Sequence, residues 1–205
     1  LQLLGERDRY LWFNGEDNYV SVFIDEFSIG VVYGVTLDFW WFVEELNKHQ
    51  QMGIYTSGEP RLYLGAYEDN RVFGAVGDSY DGFGELTLGW HHLAIKASSN
   101  IMSDGVATIY LDGNLLGAFM FMGSSVGGIF TIGARGSNFS RPMRGVIREV
   151  KLWKRELSSS EIKDSMNGLI IPECEEGVYP DLGYWPLNEG TGNTVQNRVN
   201  GSYDP

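Results

Sequence analysis

The residues that could carry acid–base or nucleophilic chemistry are not spaced for it in this sequence. Glycoside hydrolysis needs two carboxyl groups held roughly 5–10 Å apart, which alternating acids on one strand would provide. The adjacent pairs Glu44-Glu45 and Glu175-Glu176 would instead point to opposite faces of a strand. The segment Gly123-Ser124-Ser125-Val126-Gly127 has the Gly-x-Ser-x-Gly spacing, but no helix signal follows it, as the strand–turn–helix setting of a catalytic serine requires. Cys174 lies in an acidic run, whereas reactive thiols need an electropositive setting. We therefore expect that the protein is not an enzyme.

Acidic turns offer a different chemistry, the binding of a metal ion. Glu16-Asp17-Asn18 and Glu68-Asp69-Asn70 repeat one tripeptide, and residues 78–82 form a further acidic turn. Calcium is bound by about six to eight oxygen atoms from carboxylates, amides and backbone carbonyls, which such turns can supply. Asp, Asn and Gly are also ordinary turn formers. A calcium site and a purely structural role therefore both remain open.

Length and charge limit the classes of partner. The chain has 205 residues, with 15 basic and 27 acidic side chains, so its net charge is −12. Binding of nucleic acid or of anionic membranes depends on clustered Lys and Arg, so we expect no nucleic acid partner. No apolar run approaches the roughly 18 residues of a membrane span, so we expect no membrane insertion. The length favours one domain over residues 1–205.

Short apolar runs separated by glycine predict many strands joined by turns. The chain has 27 glycines, and Asp112-Gly113 between two such runs predicts a β-hairpin. Alternation with period two assigns the faces of each strand. In the segment 36–43 the core face is formed by Leu37, Phe39, Trp41 and Val43. The opposite face carries Trp40, so we expect strands with an aliphatic inner face and an aromatic outer face.

One helix is predicted near the C-terminal end. Ser158 and Glu161 have the spacing of a capping box, in which each side chain bonds the backbone of the other residue. Gly168 can adopt the left-handed conformation that ends a helix. These signals predict a helix over residues 159–167.

These segments resemble a known family. Residues 11–20, LWFNGEDNYV, resemble the opening F-x-G-x-x-D-Y-V segment of the laminin-G-like domains. Later segments resemble the signatures of that family in the same order: Phe39-Trp40, residues 90–94, residues 110–113, Ile132-Gly133, residues 145–153 and residues 157–162. The resemblance implies an all-β fold, a concanavalin A-like jelly-roll sandwich of two antiparallel sheets with one short helix.

The resemblance also implies two kinds of site. Calcium often lies at the rim of such sandwiches near the opening segment, and the candidate ligands here are Asn14, Asp17 and Glu149. Concave sites for sugars combine flat rings with polar groups. The candidate ligand-binding residues on an aromatic outer face are Trp40, Tyr63, His92 and Tyr110. The alternative is that loops cover these rings, which would then form a second, minor core.

The resemblance implies a non-catalytic extracellular recognition module, with a glycan as the expected ligand and Ca²⁺ as the expected ion. A protein–protein adhesion module of a multidomain surface protein is the alternative. The chain begins without methionine, so we expect a piece of a larger secreted or cell-surface protein. Its oligomeric state stays open.

The C-terminal tail resembles the segment that normally precedes the opening motif of this family. It spans residues 183–195, GYWPLNEGTGNTV. It could complete this sandwich or begin a second copy in a repeat. We expect the first, with residues 178–205 closing the domain, because an ordered sandwich would otherwise keep an unpaired edge.

Overall fold

The computed structural model describes residues 10–29, 34–56, 59–99, 105–122, 124–135, 140–170, 182–189 and 194–199. In these residues two antiparallel sheets pack against each other. The strands are β1 Leu11–Asn14, β2 Val20–Ile29, β3 Val35–Val43, β4 Gln50–Thr56, β5 Glu59–Ala66, β6 Val72–Val76, β7 Ser79–Phe83, β8 Gly89–Ser99, β9 Gly105–Leu111, β10 Asn114–Phe121, β11 Ser124–Ile132, β12 Arg144–Trp153 and β13 Gly183–Trp185.

The strand order mixes distant parts of the chain. The seven-stranded sheet has the order β1-β12-β3-β8-β9-β10, and β13 also pairs with β12. The six-stranded sheet has the order β2-β11-β4-β5-β6-β7. The predicted all-β sandwich of two antiparallel sheets is confirmed.

The core lies between the sheets and follows the predicted alternation. The inward residues of β3 are all buried in the main core: Leu37, Phe39, Trp41 and Val43. Leu62 and Leu64 of β5 meet them from the six-stranded sheet. Each such side chain contributes roughly 1.5–3 kcal/mol by leaving water. The aliphatic inner face is therefore the feature that the sequence pattern predicts best.

The predicted helix is present as α1, Ser159–Met166. The Glu161 backbone N–H donates to Ser158 Oγ at 3.2 Å, and the Ser158 backbone N–H donates to Glu161 Oε2 at 2.8 Å. This capping box satisfies two backbone donors that the helix itself leaves free. Ile162 lies on the buried side of the helix. Its side chain packs with Tyr110 and Trp153 on the outer side of the seven-stranded sheet.

None of the helices in the described ranges is both long and apolar enough to cross a membrane.

The hairpin between β9 and β10 is also where the sequence predicts it. Asp112 and Gly113 have φ values of +51° and +72°, and the flanking residues Leu111 and Asn114 are paired. Two consecutive positive φ values are the mark of a type I′ turn, whose twist matches that of the strands.

The described part of the C-terminal segment packs into the same sandwich. Trp185 of β13 pairs with Val150, and its ring lies 5.4 Å from that of Phe130 in the core. Leu187 is buried, and its carbonyl accepts from the Leu11 backbone N–H at 3.1 Å. Residues 178–181, 190–193 and 200–205 lie outside the described residues. Closure of the domain by residues 178–205 stays a prediction that a deletion can test.

Candidate functional site

Three of the four predicted ligand-binding rings lie on the outer side of the seven-stranded sheet. Trp40 of β3 is directly paired with His92 of β8, and the two rings are 5.4 Å apart. Tyr110 lies on β9, opposite Ala94 of β8. Because β3, β8 and β9 are neighbours in this sheet, Trp40, His92 and Tyr110 lie on one side of it.

Helix α1 covers most of this side, which we call the covered face (Thr36, Asp38, His92, Ala94, Tyr110 and Trp153). His92 is 0% exposed and Tyr110 is 3% exposed. The Tyr110 hydroxyl lies 3.0 Å from Ser159 Oγ of the helix. Tyr110 and its apolar neighbours form a separate small core, so a sugar ring has no access to His92 or Tyr110. The expectation of an open aromatic surface is wrong for these two residues.

A buried charge network holds the helix on the covered face. Asp38 Oδ1 accepts from Ser165 Oγ of α1 at 2.9 Å, and Oδ2 accepts from Trp153 Nε1 at 2.7 Å. His92 Nε2 lies 3.1 Å from Asp38 Oδ1, and Lys151 Nζ lies 4.0 Å from it. Lys151 Nζ also donates to the Ser165 carbonyl at 2.7 Å. The network joins three strands to the helix through one carboxylate.

Asp38 remains ionised in this network. Burial alone would raise the pKa of Asp38, but the hydrogen bond and charge of His92, together with the charge of Lys151 and the Trp153 donor, outweigh it. The pKa therefore lies below its ordinary value. The geometry gives Asp38 a structural role, because its partners are all buried.

Trp40 is the predicted residue of this side that stays partly accessible. Its ring is 6.4 Å from that of Trp90, and the Arg148 guanidinium lies 4.4 Å from the Trp90 ring centroid and 5.7 Å from that of Trp40. Trp40 Nε1 donates to the Met166 carbonyl at the end of the helix. The flat faces of these rings are therefore partly occupied by a protein cation, which leaves little area for a sugar.

Tyr63, the fourth predicted residue, lies on the other sheet. It belongs to β5 of the six-stranded sheet and points outward, since its neighbours Leu62 and Leu64 point into the core. It does not share a surface with Trp40, His92 and Tyr110. Alternation predicts the face of a strand on which a residue lies, but not the sheet to which the strand belongs. The four residues were therefore expected on one surface, although Tyr63 lies on another.

The outer side of the six-stranded sheet carries a continuous row of rings. We call it the aromatic face; its rings are Tyr55, Tyr63, Phe73 and Tyr80 on the strands and His49 and Tyr67 beside them. Phe73 is 4.5 Å from Tyr67, 5.3 Å from His49 and 6.1 Å from Tyr80 between ring centroids. Tyr80 is 66% exposed. This surface offers the accessible ring that the covered face lacks.

Outward glycines create the room for these rings. A Cβ on Gly53, opposite Tyr63, would meet a Tyr63 ring carbon at 2.3 Å, and one on Gly82 would meet the Tyr67 ring at 2.7 Å. Such approaches are shorter than any packed contact, so Tyr63 and Tyr67 can lie flat on the sheet only over glycine. The sequence contains these glycines and tyrosines, but which glycine lies opposite which ring can be determined only when the register of the strands is known.

A polar group borders the rings. Arg141 Nη1 donates to His49 Nε2 at 3.2 Å and to Gln51 Oε1 at 3.3 Å. Burial, and then the charge of Arg141, lowers the pKa of His49 to about 4, so the imidazole is neutral at pH 7 and can accept that bond. The Arg135 guanidinium lies 5.5 Å from the Tyr63 ring centroid. The Arg71 guanidinium lies 5.2 Å from the Tyr67 ring centroid, so three cations from the described part of the chain border the aromatic face.

Two buried polar atoms on the aromatic face lack a partner within the described residues. They are Tyr63 Oη and Gln51 Nε2, on side chains that are 1% and 0% exposed. Burial raises the pKa of the Tyr63 hydroxyl, so it stays protonated and able to donate. Unpaired buried donors are costly in free energy. On the aromatic face both atoms lie near arginine, since Arg141 bonds Gln51 and Arg135 acts on the Tyr63 hydroxyl. Sequence reasoning had missed His49, Gln51, Arg135 and Arg141.

The three predicted calcium ligands do not form one site. Asn14 Oδ1 accepts from the backbone N–H groups of residues 16, 17 and 18, and Asn14 Nδ2 donates to Asp17 Oδ1 at 2.7 Å. Asn14 pairs with Arg144, so Glu149, five residues further along β12, is roughly 15 Å away at the rise of a strand. Glu149 Oε2 instead accepts from the Tyr184 hydroxyl at 2.7 Å. The described residues contain no group of three or more His, Cys, Asp or Glu side chains placed to hold a metal ion.

We accordingly expect calcium to leave the stability of the protein unchanged. The Asn14 side chain already satisfies the turn, so a cation would have to displace existing hydrogen bonds. Melting curves in EDTA and in excess calcium chloride should coincide within about 1 °C. A rise of several degrees with calcium, as mass action requires for a ligand bound to the native state, would contradict this expectation.

Comparison of this chain with known protein families gives the same fold as the structure, a concanavalin A-like sandwich. The laminin-G-like family of the concanavalin A-like lectin/glucanases superfamily matches residues 14–163. Because that match covers most of the chain, the protein belongs to this family. A sequence comparison with curated proteins gives no match.

Solved structures show the same fold at low sequence identity. A heptameric SAP-like pentraxin from Limulus polyphemus is 18% identical, with a TM-score of 0.58 over 74% of this chain and 78% of that one. A protein assigned as carbohydrate-binding from Bacteroides ovatus is 15% identical, with a TM-score of 0.62 over 93% of this chain. The match spans 56% of the Bacteroides protein. The binding domain of Paraclostridial Mosquitocidal Protein 1 is 15% identical, with a TM-score of 0.52 over 75% of this chain and 42% of that one.

Proposed function

We propose that this chain is a non-catalytic, extracellular recognition module that binds carbohydrate on its aromatic face. The observation that carries the proposal is the exposed Tyr80 ring beside Phe73 and Tyr67, with His49 and Arg141 adjoining them. Sugar sites combine flat apolar surface for C–H groups with a few directed polar groups. On the aromatic face Tyr80 is exposed and Tyr67, His49 and Arg141 are partly exposed, above the buried Tyr63 and Phe73. On the covered face His92 and Tyr110 are both buried.

Membership of a lectin/glucanase superfamily and the carbohydrate-binding assignment of the Bacteroides protein support the same proposal. Catalysis has no comparable support, because hydrolysis by paired carboxylates requires two acids across a sugar. Arg141 on the aromatic face bonds His49 and Gln51 rather than a carboxylate, and Asp69 near Tyr67 is paired with Arg71. The proposed role is therefore binding without turnover.

Replacing Tyr80 with alanine is expected to weaken glycan binding about tenfold, because the variant loses a stacking ring worth about 1 kcal/mol or more. The matched control is Trp12→Ala. Trp12 is also an exposed aromatic residue, at 42%, but it lies on β1 of the seven-stranded sheet. The measurement is a glycan array for the wild-type chain, followed by dissociation constants of both variants for the glycan that the array identifies.

The two variants separate the two sides of the sandwich. Equal loss of affinity in both, or loss in Trp12→Ala alone, would place the glycan elsewhere and contradict the proposal. A wild-type array without any bound glycan would reject carbohydrate binding altogether.

Adhesion to another protein is the second candidate function, and one observation favours it. Outward apolar residues on the β9–β10 hairpin are exposed: Val106, Leu115 and Met120. Strand β10 is an edge of the seven-stranded sheet, and an exposed apolar edge is typical of protein interfaces. An empty glycan array, combined with partner binding that Met120→Lys abolishes, would support adhesion in place of carbohydrate binding.

A further inference from the structure

We propose that the ligand of the aromatic face is an acidic sugar whose carboxylate or sulfate group is bound by Arg135 and Arg141. The inference rests on the proposed carbohydrate-binding function and narrows its ligand class. It follows from the local charge, the arrangement of hydrogen-bond donors and the spacing of the two arginines.

The two arginines lack acidic partners in a chain that is rich in acids. The net charge is −12, and two exposed arginines are paired with acids, Arg71 with Asp69 and Arg155 with Glu161. Among the described residues, no carboxylate lies within 4.0 Å of Arg135 or Arg141. Within these ranges, Arg135 and Arg141 thus place two positive charges without ion-pair partners beside the aromatic face, and such charges attract anions. Acidic groups also lie near this face, among them Glu68, whose charge acts on Arg141, and Asp69, which is paired with Arg71.

The two guanidinium groups are close enough to repel each other. Arg135 and Ser140 form a β-bridge, with the Arg135 backbone N–H donating to the Ser140 carbonyl at 2.8 Å, so Arg141 follows directly. The positive charge of Arg135 is second only to burial among the effects that lower the pKa of Arg141. An anion between the two side chains would remove this repulsion, because each cation would gain an opposite charge.

The remaining polar atoms at the site are mostly donors. Arg141 bonds His49 and Gln51 through Nη1, which leaves the other N–H groups of its guanidinium for a ligand. Gln51 Nε2 and Tyr63 Oη are the buried groups without partners, and the Gln51 Oε1 acceptor is already bonded to Arg141. A sugar hydroxyl both donates and accepts, whereas a carboxylate or sulfate only accepts. A surface rich in donors therefore matches an anionic group better than a neutral sugar.

The first test is an array of matched glycans at about 50 mM salt, in which each backbone is present in neutral, uronate and sulfated form. For the α-1,4-linked galactose backbone these are polygalacturonate, its carboxyl-reduced form and the sulfate ester of that form; for the β-1,4-linked glucose backbone they are cellulose oligosaccharides, their C6-oxidised glucuronates and their sulfate esters. The inference predicts that anionic forms bind at least about tenfold more tightly than their neutral partner, as a charge-assisted hydrogen bond allows.

Each outcome of the array has a distinct meaning. Preference for the uronates assigns a carboxylate, preference for the sulfates assigns a sulfate ester, and equal binding of both assigns a general anion site. Equal or tighter binding of the neutral forms overturns the inference but leaves the carbohydrate-binding function in place. Binding of none of the glycans overturns both.

The second test uses charge variants on the best-bound anionic glycan. Arg141→Gln and Arg135→Gln should each raise the dissociation constant about 10- to 100-fold, since each removes a charge-assisted contact. Arg155→Gln, which removes the same charge near helix α1, should change it less than about twofold. Melting curves show whether each variant is folded. Arg135→Gln keeps the test valid if Arg141→Gln does not fold, because the Arg135 guanidinium contacts Tyr63, whereas Arg141 bonds two side chains of the sheet.

Unchanged affinity in a folded Arg135→Gln or Arg141→Gln protein would overturn the inference. An equal loss of affinity in Arg155→Gln would also overturn the inference, because it would show that the net charge of the protein, and not the site, determines binding.

Discussion

Replacing Asp38 with asparagine is expected to lower the free energy of unfolding by about 3–5 kcal/mol, the usual effect of removing one partner of a buried ion pair. Asp38 is fully buried and bonded to Ser165 and Trp153, with His92 at 3.1 Å. Lys151, 1% exposed and 4.0 Å away, would then keep a buried charge without its counterion. Urea unfolding at pH 7 measures the loss.

Two further variants separate a buried network from a general effect of removing an acid. Asp69→Asn breaks an exposed ion pair with Arg71, and solvent screening of such a pair means that it should lower stability far less than Asp38→Asn does. The double variant Asp38→Asn/Lys151→Met should be more stable than the sum of the two single losses, because it leaves no unpaired charge. Additive losses, or equal effects of Asp38→Asn and Asp69→Asn, would contradict the assigned role of the network.

The contribution of Asp38 should depend on pH with a defined sign. Its pKa is lowered in the folded protein, so folding favours the ionised form, and this stability is present above the unfolded pKa of roughly 4. It is lost as the pH falls from there through the folded pKa. The difference in unfolding free energy between the wild type and Asp38→Asn should therefore shrink below about pH 4.

Replacing Trp185 with alanine is expected to destabilise the protein by about 3–5 kcal/mol, as large-to-small changes in a core do. Trp185 is 1% exposed, belongs to the main core and contacts Phe130. Leu169→Ala is the matched control, because Leu169 is an exposed large apolar residue and its loss should change stability by less than about 0.5 kcal/mol. Thermal melting of both variants measures the difference.

Deletion of residues 178–205 should lower the melting temperature further than Trp185→Ala does. It also removes the β13 pairing with β12 and the buried Leu187. An unchanged melting temperature would mean that this segment is not needed to close the domain, and that it begins a second unit.

The features set by local chemistry were predictable from the sequence. The capping box of Ser158 and Glu161 predicted residues 159–167, and α1 spans Ser159–Met166, because a cap depends only on residues three apart. The Asp112-Gly113 hairpin and the inward face of β3 followed from turn chemistry and period two. These signals need no knowledge of distant contacts.

The site depended on distant contacts and was predicted only in part. Tyr63 was correctly placed on an outer face, but β5 belongs to a different sheet from β3, β8 and β9, which alternation does not encode. His92 and Tyr110 were expected at an open surface, and α1 covers them. Asp38 resembled an ordinary polar residue on an outer face, since the buried lysine that faces it is 113 positions later in the chain.

The polar half of the candidate site was not predicted at all. Arg141 meets His49 and Gln51 across about ninety residues, and no spacing in the sequence links them. Glycines on the outward side of β4, β5 and β7 were a usable signal, because small residues opposite aromatic residues allow rings to lie flat. That signal becomes visible only when the strand pairing is known.

The central claim is that the glycan lies on the six-stranded sheet, and amide chemical-shift mapping tests it most directly. The glycan identified by the array would be titrated into ¹⁵N-labelled wild-type protein. We expect the largest shifts at residues of the aromatic face, among them Gln51, Tyr63 and Phe73, with the amides of His92 and Ala94 nearly unchanged. Largest shifts on β3, β8 and β12, with Gln51 and Phe73 unmoved, would contradict the account.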